Sequence, residues 1–578
     1  MRRKDVTRGS APPQEDEDVD EREQREPSSK RGRYWNARKA LPKKKSVGSG
    51  MTLVSNASLF LIFASSILAV NHLTGGEILD QVRETISALT WPSKNMEEKI
   101  TRKIFDTFDD VRRIDQSIDH ATRYICNVAD AKGMFAYEIK VRYGKARNTN
   151  DYNVLRHAGT IYSLIDSCYF NEQQAGVKEQ YCRDAPDTVR KTVDWLVRET
   201  VRPVPDLDLV GIYKPHASHK LGKTAVGRLQ YRLALGGQGL GMIAFSMANQ
   251  IQPGSVPWDT VRQIGDFTVK HMQKEDGIFY PFWYPFHDPF GPSDTPKSLY
   301  YPGEAALGLI YLYESLEGVE EGEGDKSNGR LVYLEGAARG LEALANERES
   351  WSPKDIPPDH WALKATARIL KHLPKSRHPK LLKHAASVVR MMHTRDMSRI
   401  ATDPLLGVSS MATVLEAQFA MLPIFYENPS YYENVEETWC LSQKVAFLLC
   451  EAQDRDKPSH MLGGLPHVLK MKNEYEETNQ TFVRRITGDD GRFRIDDTQH
   501  SLSAWLSYKE ALESGLSEID CSRVDLPPLI RSLFDGLEVK AKTKRRKTKK
   551  KKGPAKSKKG KSKTKKKGKK GQSMNDKI

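Results

Sequence analysis

The sequence predicts an all-α protein built as an (α/α)6 toroid, a closed ring of six helical hairpins. In twelve segments of residues 97–515, apolar residues recur at helical spacing. Six of these segments are amphipathic. Each is followed by a segment that is small or apolar on every side, as expected of a helix buried all round. Six buried helices surrounded by six amphipathic ones are the number of helices in a closed (α/α)6 ring. The alternative is an open helical array, although the segments share no consensus repeat.

The chain begins with a predicted membrane anchor and its flanking segments. Residues 1–50 mix both charge signs with Pro, Ser and Gly, which predicts a disordered cytosolic tail. Residues 51–70 carry no charge and match a bilayer core in length, so 51–71 is predicted to be an uncleaved transmembrane signal anchor. Lysines and arginines precede it and acids follow it. The positive-inside rule therefore predicts a type II protein of the endoplasmic reticulum or Golgi with a lumenal body after a linker at 72–96.

The predicted helices then alternate along the toroid domain at 97–515. The amphipathic segments are 104–128, 183–201, 257–273, 328–346, 378–395 and 431–453, and the buried ones are 151–165, 236–248, 301–315, 359–370, 409–425 and 497–512. Short extended pieces at 135–142, 208–213 and 492–495 are expected to form hairpins at the rim. The aromatic, proline-broken loop 277–290 either folds over the ring end or offers rings for a ligand to stack on.

The C-terminal tail accounts for the basic character of the chain. The net charge is +16, and residues 540–578, after a closing segment at 516–539, hold 21 Lys and Arg against one acid. This tail is predicted to be disordered. Nucleic acid is the usual partner of such a polycation. A lumenal tail would instead meet acidic glycans, anionic lipid or phosphorylated polymers, and a solvated tail without a fixed partner fits equally well.

The cysteines and one sequon bear on the compartment. Six cysteines (Cys126, Cys168, Cys182, Cys440, Cys450 and Cys521) show no metal-cluster spacing, so neither a metal nor a cofactor is expected. Cys168 and Cys182 form the shortest plausible disulfide loop, whereas Cys440 and Cys450 share one helical segment and are not expected to meet. The sequon at Asn479 fits a lumenal glycoprotein.

Polar residues of the buried helices fall mostly in their first two turns. Inner helices of a toroid run the same way, so these side chains should surround one funnel. They are Asp151, Tyr152, Asn153, Arg156, His157, Gln238, Tyr300, Tyr301, Glu304, Asp359 and His360, with Thr413, Glu416 and Gln418 slightly deeper, then Asp496, Asp497, Gln499 and His500. Taken singly, Asp359 and Asp497 could be helix caps, Glu304 a partner of the helix dipole and His157 a core histidine.

Four motifs carry a resemblance to a known superfamily. They are DYNVLRHAG at 151–159, YYPGEA at 300–305, DHWA at 359–362 and DTQH at 497–500. Their sequence and placement resemble the six-hairpin glycosidase superfamily of (α/α)6 toroids over roughly residues 97–515. The resemblance implies a carbohydrate substrate and a site in the funnel at the inner-helix N-termini. It implies a glycoside hydrolase first, and a polysaccharide lyase or sugar epimerase on a similar toroid as the alternative.

The reaction can be predicted only by type. A hydrolase needs two carboxylates, for which Glu304 and Asp359 are the first pair and Asp497 and Asp151 the alternates. An epimerase would use His157, His360 and His500 as acid and base. A third alternative is a non-catalytic glycan-binding or scaffold protein.

The other funnel residues are assigned to substrate binding. Arg156 could hold a uronate or sulfate, and Trp283, Tyr284 and Trp361 could stack on sugar faces. The remaining members of this set are Tyr152, Asn153, Gln238, Tyr300, Tyr301 and Glu416. The glycine-rich run at 236–241 lacks the context of a phosphate loop and is discounted.

Overall fold

The computed structural model describes residues 94–142, 145–149, 152–175, 185–213, 232–285, 291–317, 319, 329–453, 461–476 and 481–524. The predicted transmembrane segment, both tails, Asp151, Cys182 and Asn479 lie outside these residues. Twelve main helices occur in the described part: α1 (Lys94–Asn127), α2 (Val154–Ala175), α3 (Ala185–Thr200), α4 (Leu235–Ile251), α5 (Trp258–His271), α6 (Tyr301–Ser315), α7 (Leu331–Glu349), α8 (His360–Ile369), α9 (His378–Met391), α10 (Val408–Glu427), α11 (Val435–Ala452) and α12 (Ile495–Glu513). Each falls on one of the twelve predicted segments.

The even-numbered helices form a closed inner ring. Helix α2 packs on α4, α4 on α6, α6 on α8, α8 on α10, α10 on α12, and α12 returns to α2. The odd-numbered helices lie outside, each against the inner helices of the ring. The ring confirms the predicted (α/α)6 toroid, the architecture of the superfamily that the motifs resemble. An open array is excluded because the last inner helix contacts the first.

The inner helices all run in the same direction. At one end, the first turn of α2 contacts that of α12 through Arg156 and Asp496, and the backbone N–H of Ser409 on α10 donates to Asp497. At the other end, Arg368 of α8 pairs with Glu314 of α6. N-termini therefore meet N-termini, as predicted, and they surround one mouth of the ring.

Glycines let two inner helices touch backbone to backbone. A Cβ atom on Gly239 of α4 would lie 2.3 Å from the carbonyl oxygen of Glu304, and one on Gly308 of α6 would lie 2.4 Å from that of Gly239. Contacts this short exclude any side chain at either position. The small residues that made these segments look buried in the sequence therefore set the spacing of α4 and α6.

Short strands lie beside the helix N-termini. They are β1 (Glu138–Arg142), β2 (Lys145–Asn148), β3 (Val201–Pro203), β4 (Val210–Ile212), β5 (Leu233–Ala234), β6 (Phe282–Tyr284), β7 (Gly291–Ser293), β8 (Leu405–Gly407), β9 (Val468–Glu476), β10 (Thr481–Asp489) and β11 (Arg492–Arg494). The sheet orders are β11-β1-β2, β10-β9-β8, β3-β4 and β5-β6-β7, and the pairings are antiparallel. The three predicted extended pieces are confirmed. The long β9–β10 hairpin was not predicted.

The aromatic loop is confirmed as non-helical where it is described. Phe279, Phe282 and Trp283 are buried, and the Arg232 guanidinium lies 4.4 Å from the Phe282 ring centroid. The strand β6 within this loop pairs with β5, which leads directly into α4. The described part of the loop therefore packs over the ring end.

A disulfide joins α11 to the segment that follows α12. Cys440 on α11 is bonded to Cys521, which follows α12. Cys450 also lies on α11, in agreement with the expectation that Cys440 and Cys450 do not meet. The sequence did not single out the pairing with Cys521, since 81 positions separate the two residues.

Helix α10 has the length and apolar composition of a membrane span, with a mean hydropathy of 1.4, but 67% of that window is buried inside the protein. Its place in the inner ring accounts for this composition, since a helix buried all round is apolar on every face.

Candidate active site

A carboxylate and an imidazole form the centre of the site. His500 of α12 and Glu416 of α10 are almost completely buried, and Nδ1 of His500 lies 2.8 Å from Oε1 of Glu416. Oε2 of Glu416 accepts from the Lys364 ammonium of α8 at 3.3 Å, and that ammonium also donates to Ser503 at 2.8 Å. Burial alone would raise the pKa of Glu416, but Lys364 and His500 outweigh it and lower the pKa to about 2. Glu416 is therefore a carboxylate at every physiological pH.

Arg156 fixes the tautomer of His500. Its Nη1 lies 3.4 Å from Nε2 of His500. A guanidinium can only donate, so Nε2 must accept, and the ring proton must be on Nδ1, where it is donated to Glu416. The Arg156 side chain is 24% exposed and also pairs with Asp496 at 3.4 Å. The lone pair on Nε2 of His500 therefore faces the partly exposed guanidinium of Arg156.

His360 lies directly beside this pair. It is the first residue of α8, and its ring centroid is 5.2 Å from that of His500 at an interplanar angle of 81°. The Tyr300 ring packs edge-on against His360 with a centroid distance of 5.3 Å, and the Trp361 ring lies tilted against it at 4.9 Å. Neither ring nitrogen makes a hydrogen bond to the described residues. Burial lowers the pKa of His360 well below its usual range, so the imidazole is neutral.

Glu304 is a buried carboxyl group in the first turn of α6. It is 3% exposed, and its Oε2 has no hydrogen-bond partner among the described residues. A Cβ on Gly236 would lie 1.9 Å from this oxygen, so the carboxyl group occupies the space that the glycine leaves. Burial raises the pKa of Glu304 to about 8, with Arg156 opposing and Asp359 reinforcing the shift. Glu304 is therefore mainly protonated at neutral pH.

Asp359 is engaged by its own surroundings. Its Oδ1 caps α8 by accepting from the backbone N–H of Ala362 at 3.0 Å, and its Oδ2 accepts from Arg348 at 2.7 Å. Both partners of this ion pair are buried. Burial raises the pKa of Asp359 and Arg348 opposes that shift. Asp359 thus has the role of a helix cap, the alternative that the sequence offered for it.

The two acids at the start of α12 are paired with other groups. Asp497 contacts Nδ1 of His467 at 3.2 Å and accepts from the backbone of Ser409. Burial, with Asp496 beside it, raises the pKa of Asp497 to about 6. Asp496 binds the Arg494 guanidinium at 2.9 Å. Burial opposes the ionised form of Asp496, but Arg156 and Arg494 hold its pKa below the usual range.

The predicted residues around α2 form a separate cluster. Nε2 of His157 lies 3.1 Å from the carbonyl oxygen of Thr192, and the ring stacks on Trp195 at 5.0 Å. Tyr152 packs on the same two rings. Burial lowers the pKa of His157 to about 4. Asn153 caps α2 by accepting from the backbone N–H of Leu155 at 3.0 Å. His157 thus fits the core-histidine alternative, and the structure does not bring it to the His360–His500 pair.

The other predicted binding residues divide in the same way. The Gln238 side chain accepts from the backbone N–H of Ile212 and donates to its carbonyl oxygen, and these two hydrogen bonds join β4 to α4. Trp283 packs edge-on against Phe267, and Tyr301 packs against Phe282. Tyr284 is partly exposed beside them. Tyr300 and Trp361 contact His360, so these two aromatic residues, rather than the loop aromatics, border the central pair.

His360, Glu416 and His500 also resemble a metal-ligand set, since one donor atom of each lies within 4.8 Å of the other two. Two cations argue against this use. The Lys364 ammonium contacts Glu416, and the Arg156 guanidinium faces His500. A divalent ion at this position would have to displace or face both charges. The donor set fits proton transfer better than it fits a metal ion, and the expected absence of a metal stays a prediction.

Sequence reasoning missed Lys364 and Arg348. Lys364 is a single lysine on the predicted buried helix, four residues after His360, which places both on one face of that helix. That signal was available in the sequence. Arg348 lies near the end of an amphipathic helix, where a cation ordinarily complements the helix dipole, and nothing local marks it as buried.

Several solved structures are similar to this chain at low sequence identity. A crystal structure of D-mannose isomerase covers 74% of this chain and 100% of its own, with a TM-score of 0.44 and 11% identity. Cellobiose 2-epimerase from Spirochaeta thermophila DSM 6192 covers 69% and 97%, with a TM-score of 0.44 and 11% identity. Cellobiose 2-epimerase from Bacillus thermoamylovorans B4167 covers 69% of this chain and 98% of its own, with a TM-score of 0.44 and 10% identity. No protein-family profile and no curated protein matches the sequence.

Proposed function

We propose that the protein is a sugar epimerase or isomerase that moves a proton at a carbon next to the sugar's carbonyl group. The observation that carries this proposal is the Glu416–His500 pair, which lies beside a neutral His360 among the inner-helix N-termini. The unprotonated Nε2 of His500 faces the partly exposed Arg156 guanidinium, on the side where a substrate oxygen would bind. A carboxylate hydrogen-bonded to one imidazole nitrogen fixes the tautomer and the orientation of the ring. A base and a second imidazole side by side are the groups that enolisation of a carbonyl compound needs.

The residues divide the reaction between them. Nε2 of His500 removes the proton from the carbon, and Glu416 stabilises the imidazolium that forms. Arg156 is the partly exposed cation next to that nitrogen, so it is placed to bind the sugar oxygen on which negative charge develops. Lys364 keeps Glu416 ionised. Glu304, mainly protonated, can donate a hydrogen bond to a hydroxyl group or ring oxygen.

The glycoside hydrolase that the sequence favoured first is supported less well. Hydrolysis requires an acid and a carboxylate free to act as base or nucleophile. Both oxygens of Asp359 are used by Arg348 and the helix cap, and Asp497 is held by His467. Among the described carboxyl groups predicted for this reaction, Glu304 remains as an acid, and the alternate Asp151 lies outside the described residues. A non-catalytic binding protein would not need a buried imidazole–carboxylate pair.

The burial of the histidines favours a reducing-end reaction over a polysaccharide lyase. His360 is 2% and His500 1% exposed. A lyase must admit the interior of a chain, with sugars on both sides of the reacting carbon. A site formed by buried side chains is reached more easily by the end of a sugar, where the carbonyl group also lies.

Solvent-exchange NMR tests the proposal. The full chain is incubated in D2O with reducing sugars, and deuterium entering the carbon next to the carbonyl is measured. We expect exchange with the wild type and a loss of at least 100-fold in His500→Asn and in His360→Asn. His378→Asn, a partly buried histidine of the outer helix α9, is the matched control. Hydrolysis of glycosides without any exchange would overturn the proposal.

We also propose that the body is lumenal and anchored by residues 51–71. The uncharged N-terminal run supports the anchor, and the Cys440–Cys521 disulfide supports an oxidising compartment. Glycan attached to Asn479 would support this topology, whereas digestion of the lysine tail by a cytosolic protease would overturn it. A polyanionic partner for residues 540–578 is part of the same proposal.

A further inference from the structure

The two imidazole rings of the site touch each other, which restricts where a substrate carbon can lie. Their centroids are 5.2 Å apart, with the edge of one ring against the face of the other. A ring nitrogen of each lies within 4.8 Å of the other. A reacting carbon needs about 3 Å to each proton-transfer group, so two groups on opposite faces of one carbon stand roughly 6 Å apart. The space between these rings is too narrow for that arrangement.

The surroundings hold the rings in this arrangement. Tyr300 and Trp361 pack on His360, and Glu416 and Arg156 contact both nitrogens of His500. A sugar must therefore lie on one side of the pair, with both imidazoles facing the same side of its reacting carbons.

We propose that the site catalyses aldose–ketose isomerisation, with the proton moved between C2 and C1 on one face, and that C2 epimerisation is at most a slow side reaction. Epimerisation returns the proton to the opposite face of the same carbon and would need a second group there. The inference rests on the proposed function, because it assumes that His500 removes a carbon-bound proton.

The step balances with the groups present. Nε2 of His500 takes the proton from C2 of the open-chain aldose as His360 gives a proton to O1, which leaves an enediol. His360, which has lost a proton to O1, then takes the proton of the O2 hydroxyl group. His500 returns its proton to C1. The C2–H bond is broken, a C1–H bond is formed, and the carbonyl group moves from C1 to C2. No oxidant or co-reactant is required.

The state of His360 suits this role. Neither nitrogen is hydrogen-bonded to a described residue, so one can donate while the other accepts. A neutral imidazole is a suitable acid for a carbonyl oxygen. Its conjugate base, the imidazolate, is closer in basicity to the enediolate than a neutral imidazole, the conjugate base of imidazolium, is. His500 and His360 thus have different tasks, one for carbon-bound and one for oxygen-bound protons.

Time-resolved NMR of the products tests the inference. The full chain is given D-mannose, D-glucose, cellobiose and D-glucuronate in D2O. We expect the ketose to appear first, with any 2-epimer formed at least tenfold more slowly. A 2-epimer that appears before the ketose overturns the inference and leaves the proposed function intact, whereas no exchange with any sugar overturns both.

The variant His360→Gln gives a second test. In a two-sided epimerase, loss of one imidazole leaves deuterium exchange at C2 of one epimer while turnover stops. In the one-sided mechanism the enediol forms with the help of His360, so exchange and turnover should fall together, within about threefold of each other. Exchange retained at the wild-type rate without turnover would contradict the inference, even if the wild type makes some ketose.

Discussion

Nδ1 of His500 lies 2.8 Å from Oε1 of Glu416, although the two residues belong to different helices and are 84 positions apart. The other oxygen of Glu416 faces the Lys364 ammonium of a third helix. Three inner helices thus contribute one connected chain of ammonium, carboxylate and imidazole. Because each member depends on the next, the chain can be tested by changing one member at a time and by changing two together.

Replacing Glu416 by Gln should reduce turnover by about 100-fold or more, because the amide cannot stabilise the imidazolium of His500. The same change leaves the Lys364 ammonium buried without its carboxylate, which should lower the free energy of unfolding by about 3 kcal/mol. Sugar turnover and urea unfolding measure the two effects separately.

The double variant Glu416→Gln, Lys364→Met is the control for that prediction. It removes the unpaired buried charge, so most of the lost stability should return while turnover stays low. Turnover restored together with stability would show that Glu416 acts only through folding.

Replacing Asp359 by Asn should be a stability change rather than a catalytic one. Asparagine can still cap α8, but Arg348 keeps a buried charge without a counter-ion. We expect a loss of about 3 kcal/mol in the free energy of unfolding, with turnover per folded molecule within tenfold of the wild type. Abolished turnover at unchanged stability would restore Asp359 as a catalytic acid and with it the hydrolase.

Replacing Glu304 by Gln should make stability less dependent on pH. The folded pKa of Glu304 is raised to about 8 by burial, against an ordinary value near 4.3. Below the ordinary value both states hold the proton. As the pH rises toward 8, the unfolded chain releases this proton while the folded chain keeps it, so the wild type loses stability over this window.

The glutamine variant does not titrate, so its stability relative to the wild type should rise between about pH 4 and pH 8, by on the order of 4 kcal/mol. Thermal and urea unfolding at pH 5 and pH 8 measure the difference. Glu427→Gln, at the exposed end of α10, is the matched control. An equal difference at both pH values would show that Glu304 is ionised in the folded protein.

The architecture could be predicted from the sequence because local patterns of apolar residues determine the toroid. Whether a helix is buried on one side or on all sides can be predicted from its own residues. The alternation of amphipathic and fully buried helices along the chain then predicts the outer and inner rings. The position of the mouth followed as well, since polar residues such as Arg156, His360 and His500 lie in first or second turns of inner helices.

The roles of individual side chains depend on contacts that no local pattern contains. Asp359 and His360 are adjacent in the chain, yet one is bound by Arg348 from an outer helix and the other faces His500 across the ring. The rotation of α8 about its axis decides which side chain points inward, and that rotation is set by packing against α6 and α10. Lys364 shares the face of His360 and could have been read from its spacing.

The Cys440–Cys521 disulfide should contribute stability without affecting the site. It ties the first turns of α11 to the segment after α12, at the end of the ring opposite the inner-helix N-termini. A cross-link across 81 positions restricts the unfolded chain, for which about 4 kcal/mol is expected. The double variant Cys440→Ala, Cys521→Ser should therefore unfold at lower urea concentration than the wild type and keep its turnover. Reductant should shift the wild type to the same midpoint and leave the variant unchanged. A wild-type midpoint that reductant does not move would contradict the bond, and a loss of turnover in the folded variant would mean that this end of the ring also shapes the site.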